Sequence, residues 1–226
     1  MAPVATARED DDDDDGRRPR SGALFVAVEG VDGSGKTTLT AALAVELRGV
    51  NRLVARRTEP SSGPVGVFFR QLSAQGRVDP LAMALLSTAD RYEQQDDLAD
   101  ALAGHQVVLS DRYYLSGLAY HAADGIDPAF YQALNRWVRK PDLYLFLDVP
   151  PEVGTARRGG RRDGYWERDT IAHRLPDAYE HALALLDDAA TAVVRLDALR
   201  APQVVLGAAL DALAPVSVTL PEGTTR

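Results

Sequence analysis

The chain has 226 residues, no cysteine and a formal net charge of −8, a length that suits one α/β domain with a sizeable core and room for a lid insertion. The missing cysteines exclude a disulfide framework and thiol catalysis. No apolar run of roughly 18 residues predicts a membrane span and no apolar h-region predicts a secretory leader, so the expectation is a cytoplasmic protein. Residues 1–20 carry −3 of the charge and the rest −5, and such an acidic body argues against general nucleic-acid binding but not against a nucleotide ligand.

Residues 1–22 are poor in apolar side chains and hold the run Asp10 to Asp15; they read as a disordered acidic tail, either solubilising or an acidic docking arm. Ala23 to Val28 is apolar and strand-like. It leads into Gly30-Val31-Asp32-Gly33-Ser34-Gly35-Lys36-Thr37, the pattern G-x-x-x-x-G-K-[ST] of a phosphate-binding loop. Glycines let the backbone curl so that several N–H groups face one point, and the helix that follows adds its positive end. Lys36 is the residue for the β- and γ-phosphates, and Thr37 supplies a hydroxyl for Mg²⁺. Leu39, Leu43 and Leu47 then repeat at helical spacing.

Beyond the loop the chain alternates. Strands are expected at 24–29, 52–57, 106–110, 143–148 and 192–196, and helices at 36–48, 65–74, 80–103, 128–138, 151–158, 169–189 and 202–213. Asp79-Pro80 is a helix start and Gly104 a stop, whereas Pro176 predicts a kink. The strands are apolar without clean alternation, as when both faces are covered. The prediction is therefore a three-layer α/β/α sandwich of the P-loop NTPase type, with a five-stranded parallel sheet over residues 23–214, a C-terminal tail over 215–226 and a small basic lid at about 157–168. Ligands sit beyond the carboxyl ends of such strands, where Glu59, Asp111, Arg112 and Asp148 fall. Asp111 can hold Mg²⁺ through water and Arg112 can pair with a phosphate. The four histidines have no metal-ligand spacing. Trp137 and Trp166 read as packing residues, with contact to adenine as the alternative for Trp166.

The ordered set of segments resembles the thymidylate kinase family over roughly residues 22–200. The matching stretches are Glu29 to Thr38, Thr58-Glu59-Pro60, Ala89-Asp90-Arg91, Asp111-Arg112-Tyr113 through Ser116 to Ala119-Tyr120, and Pro141-Asp142-Leu143 to Glu152. The resemblance implies a Mg²⁺-dependent homodimeric enzyme that phosphorylates dTMP with ATP. It implies that residues 30–38 (Gly30, Val31, Asp32, Gly33, Ser34, Gly35, Lys36, Thr37, Thr38) hold ATP, with Thr37 and Asp111 toward the metal. Asp32, Glu59, Arg91, Arg112 and Tyr120 would hold the acceptor, with Tyr120 beside the deoxyribose where a 2′-hydroxyl would clash. Lys36, Arg112 and Asp32 would serve the transfer itself. The loop has no arginine at 32–34, so the catalytic arginine is expected in the lid, among Arg157, Arg158, Arg161 and Arg162.

The chain also departs from the family. The common Thr-Arg-Glu-Pro is here Arg57-Thr58-Glu59-Pro60, Ser87 replaces a Phe that stacks on the base, Gly117 replaces a Ser, Thr or Asn, and His121 replaces a Gln. Tyr92, Phe68 and Phe69 are the candidates to fill the gap left by the Phe. A shifted pyrimidine acceptor and a non-catalytic nucleotide-binding protein stand as the alternative readings.

Overall fold

A computed structural model of the chain describes residues 22–76, 79–159, 165–167, 171, 173–188 and 192–217. The acidic tail at 1–21, Arg161, Arg162 and the last nine residues lie outside them. Five strands, β1 (Leu24–Glu29), β2 (Val54–Thr58), β3 (Val107–Asp111), β4 (Leu143–Asp148) and β5 (Ala192–Asp197), form one sheet in the order β2-β3-β1-β4-β5. Every pairing is parallel. Central β1 and β3 are buried at every position, whereas the edge strands β2 and β5 are only partly so. Helices on both faces bury a central strand, and that is why the middle strands read as continuous apolar runs.

The helices are α1 (Lys36–Gly49), α2 (Pro64–Gln75), α3 (Pro80–Glu93), α4 (Gln95–Gly104), α5 (Tyr114–Ala123), α6 (Pro128–Leu134), α7 (Pro151–Arg157), α8 (Leu175–Asp188) and α9 (Pro202–Ser217). Helix α1 lies against β1 and α9, while α5 packs against α3, α6 and α8. Leu39, Leu43 and Leu47 of α1 are all buried. Truncating Leu43, which has no exposed surface, costs about 2–5 kcal/mol through lost burial and the cavity left behind.

Several elements differ from the sequence expectation, among them α6, which ends at Leu134 and not at 138. The single helix expected over 80–103 is two, because the chain turns at Gln94, whose carbonyl and side chain both accept from Arg57 Nη2 on β2 (3.2 and 3.1 Å). Asp79 caps the first of them through Ala82 N (3.0 Å). Helix α5 was not foreseen. Eight of its ten residues are buried, so it lacks the polar face that marks a helix in sequence. Pro176 does not kink a helix but stands at the start of α8, where its missing N–H and fixed φ cost nothing. Helix α9 runs four residues past the expected Leu213.

Candidate active site

The phosphate loop joins the carboxyl end of β1 to α1, and Gly33 and Gly35 take φ of 79° and 106°, values that L side chains rarely adopt. Gly33 has a second constraint, since a Cβ there would strike the Gly154 backbone in α7. A Cβ on Gly154 would in turn strike Asp32 O. Two glycines back to back thus seat the loop on α7. Lys36 Nζ is folded into the loop, donating to Gly30 O (3.0 Å) and Val31 O (2.7 Å). Ser34 Oγ is buried with no hydrogen-bond partner among the described residues. The hydroxyl packs beside Gly30, where an added Cβ would strike it.

Strand β3 delivers the next residues. Val28 pairs with Asp111, so Asp111 ends beside the loop, and Thr37 Oγ1 donates to its Oδ2 (2.5 Å). One hydroxyl and one carboxylate are hard oxygen donors, the set Mg²⁺ takes when phosphate and water supply its other ligands. Among the described residues no group of three or more His, Cys, Asp or Glu could cage a metal.

Arg112 follows with φ of 69°, a left-handed conformation worth about 1–3 kcal/mol of strain for a non-glycine residue. Ser110 Oγ donates to Arg112 O (2.6 Å) and Arg112 N donates to Val28 O (3.0 Å), holding the turn. The guanidinium donates through Nη2 to Asp32 Oδ1 and through Nη1 to Ser116 Oγ (3.1 Å), and it lies over the Tyr120 ring at 5.2 Å. Tyr120 OH donates to Asp32 Oδ2 (3.2 Å). Beneath stands the buried Glu29, which accepts from Tyr113 N (2.9 Å) and from Ser116 Oγ. Tyr179 OH on α8 donates to Gly30 O (3.0 Å).

Arg91 on α3 is buried and hydrogen-bonded through all three of its nitrogens. Its Nε and Nη2 donate to Glu59 (3.0 and 2.5 Å to Oε1 and Oε2), and its Nη1 donates to Asn135 Oδ1 (2.6 Å) and Tyr131 OH (3.2 Å). Its neighbour Asp90 has another task, accepting from Ser61 N (2.8 Å) and Ser61 Oγ (2.5 Å) to fix the turn after the cis Glu59–Pro60 peptide.

The electrostatics follow from this packing. Burial alone would raise the Asp32 pKa, but Arg112 and Lys36 overcome it and bring it to about 2. Burial and Arg112 lower Lys36 to about 7, against the pull of Asp32, Asp111 and Glu29. Burial raises Glu29 despite the Ser116 hydrogen bond and Arg112. Burial opposes the charge on Arg91 and on Arg112, and the carboxylates of Glu59 and Asp32 more than restore it, so both stay cationic.

Two cavities meet here. One, of about 770 Å³, runs from the phosphate loop past Arg157 to Ala198, Arg200 and Gln203. The other, of about 230 Å³, lies between α3 and α5 and is walled by Phe69, Ser87, Arg91, Tyr120, His121 and Trp166. Asp32, Glu59 and Arg112 line both. The sequence-predicted residues divide accordingly: 32–38, Asp111 and Arg157 line the first, Arg91 and Tyr120 the second. Gly30 and Val31 supply the carbonyls that hold Lys36. Arg157 Nη2 donates to Ala198 O (2.8 Å) and its Nη1 to Ser34 O (3.5 Å). Arg158 is close enough to lower Asp32.

Several expectations change. Trp166 does not line the first cavity but the second. There it stands edge-on to Tyr120 and His121 and stacked with Phe69 (centroids 5.6, 5.1 and 6.4 Å). Of the three aromatic candidates, Phe69 lines that cavity, while Phe68 is half exposed and Tyr92 OH donates to Leu134 O (2.9 Å). Arg57 turns to Gln94. Sequence reading assigned no role to Glu29, Ser116, Tyr131, Asn135 and Tyr179. Glu29 carried a signal as an acid at the end of an apolar strand, as Asp111 and Asp148 do, and Ser116 lies in a stretch that resembles the family.

A family model described as thymidylate kinase matches residues 28–206. A protein named thymidylate kinase from Xanthomonas oryzae pv. oryzae is 41% identical over 145 residues, 64% of this chain and 64% of its own length. One of the same name from Xylella fastidiosa (strain 9a5c) is 37% identical over 153 residues, 67% of this chain and 70% of its own. The alignment thus spans just under two thirds of the Xanthomonas relative. Loop, strand-end arginine, buried Arg91–Glu59 pair and family match run through the same residues, and the chain belongs to the thymidylate kinase family.

Proposed function

We propose that the chain transfers the γ-phosphoryl group of ATP to dTMP, giving dTDP and ADP. One observation carries this reading. The two cavities share Asp32, Glu59 and Arg112 in their walls, so a triphosphate in one and a monophosphate in the other would end at the same guanidinium.

The chemistry needs little more. A phosphate oxygen of the acceptor, already anionic at neutral pH, attacks the γ-phosphorus, the bond to the β–γ bridging oxygen breaks, and ADP leaves with that electron pair. No general base is required, so catalysis is positioning and charge stabilisation. Lys36 would leave the loop carbonyls for the β- and γ-phosphates, whose charge restores its proton. Thr37 and Asp111 would hold Mg²⁺, which when bound neutralises charge on those phosphates. Arg112 would bridge acceptor and transferring phosphoryl, held by Asp32 and Ser116. Arg91, its own charge neutralised by Glu59, would shape the acceptor side. Tyr120, tied to Asp32, would close the space a 2′-hydroxyl needs. Arg157, Arg158, Arg161 and Arg162 are the lid cations for the developing charge. We infer further a cytoplasmic homodimer, which the family likeness supports. Among the described residues no helix is long and apolar enough to cross a membrane. Light scattering tests the dimer.

The deciding experiment is ADP release with ATP and Mg²⁺ across dTMP, dUMP, UMP, dCMP, AMP and GMP, with Lys36→Ala as control. A dTMP optimum that vanishes in the control is expected. A displaced optimum means a different acceptor, and the absence of turnover overturns the enzyme reading.

A further inference from the structure

The far wall of the acceptor cavity holds Ser87, Gly117 and His121, three positions where the sequence departs from the expected family pattern, and its hydrogen atoms can be counted. Ser87 Oγ, on α3, has one hydrogen and three neighbours: Ala84 O at 2.9 Å, His121 Nε2 at 2.8 Å and Tyr131 OH at 3.1 Å. The Ser87 hydroxyl donates to Ala84 O, and in that arrangement Ser87 Oγ accepts from both other groups. Tyr131 OH is able to donate, because its own oxygen accepts from Arg91 Nη1 (3.2 Å). His121 Nε2 must carry a hydrogen. The ring is buried at 1% exposure, and burial together with Arg91 lowers its pKa to about 3, so it is neutral and its other nitrogen is bare.

That nitrogen, Nδ1, has no hydrogen-bond partner among the described residues although it is buried. A buried acceptor left unmatched is destabilising unless a ligand completes it. The surroundings hold this acceptor in place. Tyr131 and Trp166 contact the imidazole at centroid distances of 4.9 and 5.1 Å. Gly117 leaves room for Tyr131, since a Cβ at 117 would strike the tyrosine hydroxyl. Phe69 and Trp166 supply apolar walls. Ser87, Gly117 and His121 are therefore one arrangement rather than three separate losses.

We propose that His121 Nδ1 is the base-reading group of this chain, a fixed acceptor for the N3–H of a keto pyrimidine, so that thymine and uracil are accepted and cytosine is refused. Cytosine presents a lone pair at N3, and two lone pairs facing each other in a buried site repel. The inference rests on the reading of the second cavity as the acceptor nucleotide site. It replaces the expected stacking ring with a histidine whose tautomer is set by a serine. Ser87 acts through His121 and is a positioning residue.

The test compares dTMP and dUMP with 5-methyl-dCMP and dCMP, which keep the size and change the Watson–Crick edge. Binding is measured by calorimetry without ATP, in parallel with turnover. The full-length protein should prefer the keto bases by roughly ten- to a hundredfold. His121→Phe, which keeps a ring, should bring dTMP down to the level of 5-methyl-dCMP, and His121→Gln, whose amide oxygen can accept, should restore part of the preference. Nitrogen NMR of the unaltered protein stands independent of any variant's folding. The ligand-free His121 should be the Nε2–H tautomer, and its Nδ1 resonance should move on adding dTMP but not 5-methyl-dCMP. An Nδ1–H tautomer, equal binding of the two nucleotides, or an undiminished preference in His121→Phe overturns the proposal while dTMP turnover leaves the kinase reading standing. If ATP binds and no pyrimidine monophosphate does, both readings fall.

Discussion

The two ends of the site are built by opposite means. At the phosphate end the chain spends eight consecutive residues, Gly30 to Thr37, and works largely with backbone N–H groups, a lysine and a strand-end arginine. At the base end Ser87, His121, Tyr131, Phe69 and Trp166 come from four helices and the short turn Tyr165–Glu167. On the proposed reading the first end binds a group that every nucleotide has, and backbone donors do that without regard to what else the ligand carries. The second would tell one base from another, which needs side chains whose hydrogens are counted. Changes at the first end should therefore cost rate with all acceptors, and changes at the second should cost discrimination or folding.

The largest expected effect is at the junction. Arg112→Met removes the cation common to both cavities and the strongest cationic partner of Asp32. A loss of about 10³-fold in kcat/KM is expected, with KM raised for both ATP and acceptor; an effect confined to one substrate would separate the two cavities. Lys36→Ala should cost about 10²–10³-fold, chiefly in kcat, and equally for every acceptor that turns over.

Gly117→Ala sharpens the contrast from the base end. The added methyl meets the Tyr131 hydroxyl and must push it off Arg91 and Ser87, so a loss of about 1–3 kcal/mol in unfolding free energy is expected. The double change Gly117→Ala with Tyr131→Phe should recover part of it. Denaturant unfolding of the single and double variants checks both, and an unshifted midpoint would mean that the cavity wall is looser than its contacts indicate.

The smallest effect concerns protons. Because Lys36 sits at about 7 in the ligand-free protein against 10.5 unperturbed, nucleotide phosphates should draw a proton onto it. Uptake should approach one proton at about pH 8 and vanish toward about pH 6, measured by calorimetry in buffers of different ionisation enthalpy. The sign for folding is set by the same shift. The unfolded chain holds this proton up to 10.5, so the ligand-free protein gains stability from Lys36 as pH rises from about 7. Lys36→Met should abolish the proton uptake, while His121→Phe should leave it intact.

The sheet, the loop and the strand-end residues were legible in the chain because each is local. A glycine-rich turn between an apolar strand and an amphipathic helix declares itself within fifteen residues, and parallel strands buried on both faces read as apolar runs. That is why Lys36, Thr37, Asp111 and Arg112 stand together as the motifs implied. What sequence could not carry is whatever depends on pairs far apart in the chain. Helix α5 has no polar face to reveal its period, and the break at Gln94 is made by Arg57, 37 residues away. Trp166 has no neighbour in sequence that points to Phe69. Read singly, Ser87, Gly117 and His121 looked like missing base contacts. Only the packing of α3, α5 and α6 brings Ser87, His121 and Tyr131 within hydrogen-bond reach, and only there does the single hydroxyl hydrogen of Ser87 decide which nitrogen of His121 is left to accept. Pattern along the chain thus determined where the proposed phosphate site lies, because backbone curvature is encoded locally, and tertiary contact decided the hydrogen bonds of the proposed base end, because the direction of a hydrogen bond is settled by all of its partners at once.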